Sequence, residues 1–211
     1  MAGQTLASGA LHIAPQGRAK VLCVLCHGRG QSPEEMQAHI LARLQCDAVA
    51  FVLPRAPRGS WYDAKAIDPL TEATRAQLAQ SIAHLAADVA SARALYPEIP
   101  LVLAGFSQGA CLTLEYAFTG EAPNAAIVAL TGCRVGRPQD SRPAALPPHL
   151  QVYLSGADAD PWIPILAFAE AAHDLGRARA HLRAEVIPDR KHEVSAPEIA
   201  AFGDLLARLS H

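Results

Sequence analysis

Strand-like runs and helix-like stretches alternate along almost the whole chain, and this alternation constrains the fold more than any other feature. The runs fall at 20–26, 48–53, 101–104, 125–130, 150–154 and 181–187, with a further short strand expected near 11–14. Most are apolar at consecutive positions rather than at every second one, the pattern of strands buried on both faces. Helices are expected between them at 33–44, 71–95, 108–118, 164–175 and 197–209. Two of these have clear starts, Ser32-Pro33-Glu34-Glu35 and Ser195-Ala196-Pro197-Glu198. Each places Ser as N-cap, Pro in the first turn and Glu three residues on. Strand and helix in alternation predict an α/β fold: a mostly parallel sheet with helices on both faces. At 211 residues the chain is expected to be a single domain over 1–211, with its core over about 20–209.

Composition removes several classes of function. Hydrophobic residues are 51% of the chain and charged residues 18%, too apolar a balance for disorder. No 18 consecutive apolar residues occur, so stable membrane insertion is not expected. Lys plus Arg number 18 against 20 Asp plus Glu, a formal charge of −2, which supplies no basic field for nucleic acid. The start, MAGQTLASGALHIAPQG, has neither a basic n-region nor a long apolar core, and the expected location is cytoplasmic.

The five cysteines, at 23, 26, 46, 111 and 133, are odd in number and lack the spacing of a disulfide framework. Cys23-Val24-Leu25-Cys26-His27 matches the form of a haem attachment sequence, but it ends an apolar strand. Positions i and i+3 of a strand face opposite ways, with Cα atoms roughly 10 Å apart. That span exceeds the roughly 7 Å limit of a disulfide, and ligands on opposite faces cannot share a metal. Nor is there an H-E-x-x-H pattern, since His192-Glu193 lacks a second His. No cofactor and no metal are expected.

One turn in the alternation carries chemistry. The apolar run at 101–104 leads into Gly105-Phe106-Ser107-Gln108-Gly109, and a helical pattern follows. G-x-S-x-G between strand and helix is the setting of a nucleophile elbow. Small residues at 105 and 109 let Ser107 occupy a strained turn that lifts its hydroxyl above the sheet. The backbone N–H of Gln108, at a helix N-terminus, then points toward a developing oxyanion. A second donor belongs on the loop after an earlier strand. His27-Gly28-Arg29-Gly30 leaves the run at 20–26, and the Arg29 N–H is the expected donor.

A serine hydroxyl needs an imidazole to take its proton and a carboxylate to hold that imidazole. In sheets with such an elbow the partners follow in the order Ser, acid, His, on loops at the carboxyl ends of later strands. His12, His27, His39 and His84 precede Ser107. His149 and His181 begin strands, His173 falls within a helix and His211 is the terminus. His192 remains, after the run ending at 187 and just before a capped helix, as the expected base. The acid belongs after the run at 150–154, where Asp158 and Asp160 compete in Asp158-Ala159-Asp160-Pro161-Trp162-Ile163-Pro164. Asp189, on the loop of His192 itself, reads as a turn residue.

Taken together, these pieces resemble the phospholipase/carboxylesterase group of the α/β-hydrolase superfamily, which includes the acyl-protein thioesterases. His27-Gly28-Arg29-Gly30, Ser60-Trp61-Tyr62, Gly105-Phe106-Ser107-Gln108-Gly109, Asp160 to Pro164 and His192 come in that family's order over most of the chain. The family's Asp-Pro-x-Val-Pro pattern falls on 160–164 and selects Asp160 as the acid. Three positions depart from the pattern: Ile163 for the usual Val, Ala110 where a third Gly is common, and Lys191 where Gly is frequent.

The resemblance implies a serine carboxylesterase that hydrolyses small or short-acyl esters through an acyl-enzyme on Ser107. His192 would act as base, Asp160 as orienting acid, and the N–H groups of Arg29 and Gln108 as oxyanion donors. An acyl (protein) thioesterase or lysophospholipase would use the same triad, and a non-catalytic binding protein on this fold is the distant alternative. Cap domains of the superfamily enter after the strand at 125–130. Here only the 19 residues 131–149 separate that run from the next, so no cap is expected. The open site is expected to be walled by Trp61, Tyr62, Trp162 and Ile163. A small-molecule ester is the expected partner, and a homodimer is left open.

Overall fold

The computed structural model describes residues 3–211. In chain order the elements are β1 (Gln4–Thr5), β2 (Leu11–Ile13), β3 (Val21–Cys26), α1 (Pro33–His39), β4 (Val49–Leu53) and α2 (Glu72–Leu95). They continue with β5 (Leu101–Phe106), α3 (Gln108–Phe118), β6 (Ala126–Leu130), β7 (Gln151–Ala157), α4 (Ile165–Arg177), β8 (His181–Ile187) and α5 (Ala196–Leu209). One eight-stranded sheet runs in the order β1-β2-β4-β3-β5-β6-β7-β8. The strands from β4 to β8 pair in parallel, and β1 and β2 add an antiparallel edge. The fold is therefore the mostly parallel α/β sheet that the alternation predicted.

The fully apolar strands β3, β4, β5 and β6 are buried at every position, because helices cover both faces. One core packs the sheet against α2, α3 and α4, through Leu85, Leu112 and Phe168 among others. The other packs it against α1 and α5, through Met36 and Phe202. Cys26 belongs to the first core and Cys23 to the second, so the two thiols of the C-x-x-C sequence lie on opposite faces. At the far edge, β8 is mostly exposed and carries Arg183 and Glu185, charges that blunt an open strand edge.

Three of the boundaries that differ from the sequence reading bear on the site. The helix expected over 33–44 stops at His39 and ends in a 3-10 turn, Leu41–Arg43, the tightening common at helix ends. Strands β5 and β7 run on to Phe106 and Ala157, through Gly105 and Gly156. Both glycines serve close packing. A Cβ on Gly105 would lie 2.4 Å from the Gly109 backbone, and one on Gly156 would lie 2.5 Å from Phe168. Between β6 and β7 no helix or strand forms, and no cap covers the sheet.

The chain leaves β3 toward β4 on one side and returns to β5 on the other, so β3 and β5 are neighbours with diverging connections. A crevice at the carboxyl ends of two such strands is where open α/β sheets bind ligands. The loop at 27–30 and Ser107 lie at that crevice.

Candidate active site

Ser107 occupies the turn between β5 and α3 with φ 54° and ψ −119°, a conformation that costs about 1–3 kcal/mol in a non-glycine residue. The turn is held by the Ser107 N–H, which donates to Leu130 O at 3.0 Å, and by the Cys111 N–H, which donates to Ser107 O at 3.0 Å. It presses directly on β3: a Cβ on Gly109 would lie 2.3 Å from Cys26 O. Only glycine fits there.

The hydroxyl meets an imidazole. Ser107 Oγ lies 2.8 Å from His192 Nε2, and His192 Nδ1 lies 2.7 Å from Asp160 Oδ2. A carboxylate only accepts, so Nδ1 carries the proton and Nε2 offers its lone pair to the serine. The other Asp160 oxygen accepts the N–H groups of Trp162 at 2.8 Å and Ile163 at 2.9 Å. Burial raises the Asp160 pKa. The hydrogen bonds from His192, Ile163 and Trp162 outweigh it and hold the carboxyl below its ordinary value of 3.8. Asp158 points elsewhere: its Oδ1 accepts the Asp189 N–H at 2.8 Å, which ties the acid loop to the histidine loop.

The N–H groups of Arg29 and Gln108 donate to no backbone or side-chain acceptor among the described residues. Unpaired backbone N–H groups are the kind of donor an oxyanion takes. The loop around Arg29 is held by its own hydrogen bonds. Gly30 adopts φ 70° and donates its N–H to Gly59 O at 2.7 Å, while Gln31 Oε1 accepts the Gly28 N–H at 3.0 Å. His27, fully buried, donates Nδ1–H to Gly28 O at 2.7 Å and accepts the Ala56 N–H at 3.0 Å. Burial holds its pKa below the usual 6.5, consistent with a neutral strut.

The Gln108 side chain faces the loop at 60–62. Its Oε1 accepts the Trp61 N–H at 3.0 Å, and its Nε2 donates to Tyr62 O at 2.7 Å. Arg29 clamps the same loop from outside, through Asp63 O at 3.0 Å and Ala64 O.

Two cavities meet at His192. The larger, about 440 Å³, is lined by Tyr62, Ala66, Cys111, Trp162 and Ile163 together with Ser107, Gln108, Arg29, Asp63 and Lys65. The smaller, about 220 Å³, lies on the α1 side of His192 and includes Met36, His39, Ile40, Arg43 and Phe106. Tyr62, Trp162 and Ile163 thus line the cavity beside Ser107, with Trp162 60% exposed at the rim. Trp61 does not. It is buried behind the loop, with Nε1 donating to His27 O at 2.9 Å and its carbonyl accepting from Ser81. Its indole braces the loop at 27–30 and leaves the cavity wall to its neighbour Tyr62, because adjacent residues of an extended loop face opposite ways.

Arg190 is the residue that sequence reasoning missed. It is 5% exposed, and its Nη1 donates to the carbonyls of Lys191, at 2.8 Å, and Glu193, the residues on either side of His192. Nη2 donates to Thr131 Oγ1 at 2.8 Å, and Nε lies 3.3 Å from Glu198 Oε2 without hydrogen-bond alignment. Glu198, read from sequence only as half of a capping box, is fully buried. It also accepts from Ser155 Oγ on β7. The loop of His192 is thereby fastened to α5 and to the ends of β6 and β7. An arginine two residues before a histidine has no local signature of this role.

Comparison with known proteins places this arrangement in context. Residues 9–209 match the model of the phospholipase/carboxylesterase family. A phospholipase/carboxylesterase from Dyadobacter fermentans is 29% identical, with 97% of this chain and 98% of that chain covered and a TM-score of 0.81. A carboxylesterase from Mesorhizobium loti is 16% identical over 97% and 98% of the two chains, with a TM-score of 0.78. An acyl-protein thioesterase 2 from Zea mays is 20% identical over 96% and 99%, with a TM-score of 0.73. At their identities the last two speak for the fold alone.

Proposed function

The chain belongs to the phospholipase/carboxylesterase family and is a serine hydrolase, and we propose that it cleaves small or short-acyl carboxylic esters through an acyl-enzyme on Ser107. The observation that carries the proposal is the continuous relay from Ser107 Oγ through His192 to Asp160, with hydrogen bonds of 2.8 and 2.7 Å.

His192 Nε2 takes the hydroxyl proton as Ser107 Oγ attacks the acyl carbon. The carbonyl oxygen becomes an oxyanion held by the Arg29 and Gln108 N–H groups. His192 then returns the proton to the alcohol oxygen, the C–O bond breaks and the alcohol leaves. Water enters, gives its proton to His192 and attacks the acyl carbon. Collapse of that second intermediate frees the acid and restores Ser107. Asp160 stays ionised throughout and stabilises the imidazolium.

The two cavities suggest how an ester lies. The alcohol must sit beside His192, which protonates it, and the smaller cavity gives it room on that side. The acyl chain then takes the larger cavity, between Tyr62 and Ile163. With no cap, the groove is open at Trp162.

Replacing Ser107 by Ala is expected to lower kcat on p-nitrophenyl esters by at least about 10⁴-fold and to abolish labelling by a fluorophosphonate probe. Retained turnover in that variant would end the proposal. A panel of p-nitrophenyl esters of increasing acyl length, set against acyl thioesters of the same chains, separates an esterase from a thioesterase using the same relay.

A further inference from the structure

The larger cavity has apolar walls and a cationic mouth. Tyr62, Ala66, Cys111 and Ile163 form walls, while Arg29 and Lys65 stand on the same lining with their side chains exposed. Among the described residues no carboxylate oxygen lies within 4.0 Å of either cation. Arg29 spends its N–H groups on neutral acceptors, Ser60 Oγ, Asp63 O and Ala64 O, which fix its position without cancelling its charge. The Lys65 ammonium has no hydrogen-bond partner among the described residues.

Nearby acids are engaged elsewhere. Asp63, also on the lining, accepts from Gln77 Nε2 on α2 at 2.7 Å, and Asp68 Oδ2 accepts the backbone N–H of Lys65 at 2.9 Å. Those donors are neutral, so the lining carries two cations against the single carboxylate of Asp63, a net positive charge in a chain whose formal charge is −2.

We propose that this mouth recognises an anionic group on the substrate, so that the preferred acyl part ends in a carboxylate, as in a half-ester of a dicarboxylic acid. The inference rests on the serine-esterase reading and names the substrate class of the same site. With the scissile carbonyl at Ser107, the methylene chain lies along the apolar walls and the free carboxylate reaches Lys65 and Arg29. Water adds across the ester bond, giving a dicarboxylate and the alcohol, and no oxidant or further reactant enters. The anion belongs to the acyl part because the alcohol occupies the side of His192, where the one arginine, Arg43, is matched by the carboxylate of Glu193, while the larger cavity has two cations to one carboxylate. Apolar walls raise the value of the charge contact, since a pair flanked by low-dielectric surface is screened less than one in open water.

The test uses mono-p-nitrophenyl esters of adipate, suberate and sebacate beside the p-nitrophenyl esters of the monocarboxylic acids of equal length. The quantity read is kcat/KM for the half-ester divided by kcat/KM for its neutral counterpart, after subtraction of spontaneous hydrolysis. In the native protein this ratio is expected to exceed one for at least one chain length and to fall as salt is raised to about 0.5 M. Lys65→Gln is expected to lower the ratio about two- to fivefold, and Lys65→Glu to lower it further. A ratio below one at every length, or one that Lys65→Glu leaves unmoved, overturns the inference while neutral-ester turnover keeps the esterase reading. Absence of Ser107-dependent turnover on every ester would instead defeat that reading, and this inference with it.

Discussion

Two buried arginines on opposite flanks of α4 and β7 solve the same physical problem for different ends. Arg134 is 3% exposed. Its Nε and Nη2 donate to the two oxygens of Glu115 on α3 at 2.7 and 3.2 Å, and its Nη1 donates to Asp174 on α4 at 3.1 Å. It also stacks 3.7 Å from the centre of the Phe118 ring and donates to Pro143 O at 2.8 Å. Arg190 is buried as deeply and also faces a helix carboxylate, Glu198. The difference lies in what each guanidinium holds at its other end. Arg134 fastens the connection between β6 and β7, the segment where a cap would be inserted. Arg190 fastens the carbonyls on either side of His192. Burial and pairing alone therefore do not tell whether an arginine serves stability or turnover; the backbone it grips does.

Four experiments break or sharpen this contrast. The largest effect is expected from Asp160→Asn, which should lower kcat about 10³- to 10⁴-fold by favouring the wrong imidazole tautomer, with the melting curve reporting an intact fold. Arg190→Ala comes next. Freed carbonyls let the His192 loop shift by a fraction of an ångström to an ångström, and kcat should fall about 10- to 100-fold with KM changed far less. Arg190→Lys should restore only part of kcat, since an ammonium cannot reach Thr131, Glu198 and both carbonyls together. An unchanged kcat in Arg190→Ala would remove the contrast altogether.

Arg134→Ala should invert the pattern. Stranding Glu115 without its guanidinium partner should reduce unfolding stability by about 3–5 kcal/mol, seen in urea titration, while kcat/KM of the folded protein stays within about threefold. The smallest effect is the acid dependence of Asp160. Its folded pKa lies below 3.8, so its ionised form contributes stability that is complete above the unfolded value and is lost as pH falls through the folded one. Asp160→Asn should lack that part of the acid destabilisation when midpoints at pH 3 to 6 are compared. A parallel curve for the two proteins would show that the hydrogen bonds to Asp160 add nothing to folding.

Much of this was legible in the chain. Continuous apolar runs can only be strands buried twice over, so alternation with helices led directly to a parallel sheet. Gly105 and Gly109 around Ser107 required a turn too tight for any Cβ, and the structure has that turn. His192 follows the last strand and precedes a capped helix in both readings. Contacts from far along the sequence decided what local pattern did not. Strand β7 runs past its expected end at 154, where Gly156 leaves room for the Phe168 ring. Trp61 looked like a wall residue, yet His27 O and Ser81 claim it for the interior. Cys111 and Cys133, unpaired by any spacing rule, have sulfurs 3.8 Å apart because α3 and the end of β6 meet there.

The sequence by itself determined the order of the elements, the strained serine turn, the loop of glycines opposite it and the absence of room for a cap. These are consequences of local sterics and of hydrophobic periodicity, which act over a few residues. Only the tertiary structure decided which aromatic faces the cavity, and that Arg190 and Glu198 anchor the histidine loop. It also left Arg29 and Lys65 as unpaired cations at one mouth. Each of those outcomes depends on where a side chain some tens of residues away comes to rest, and that is set by how helices pack on the two faces of the sheet.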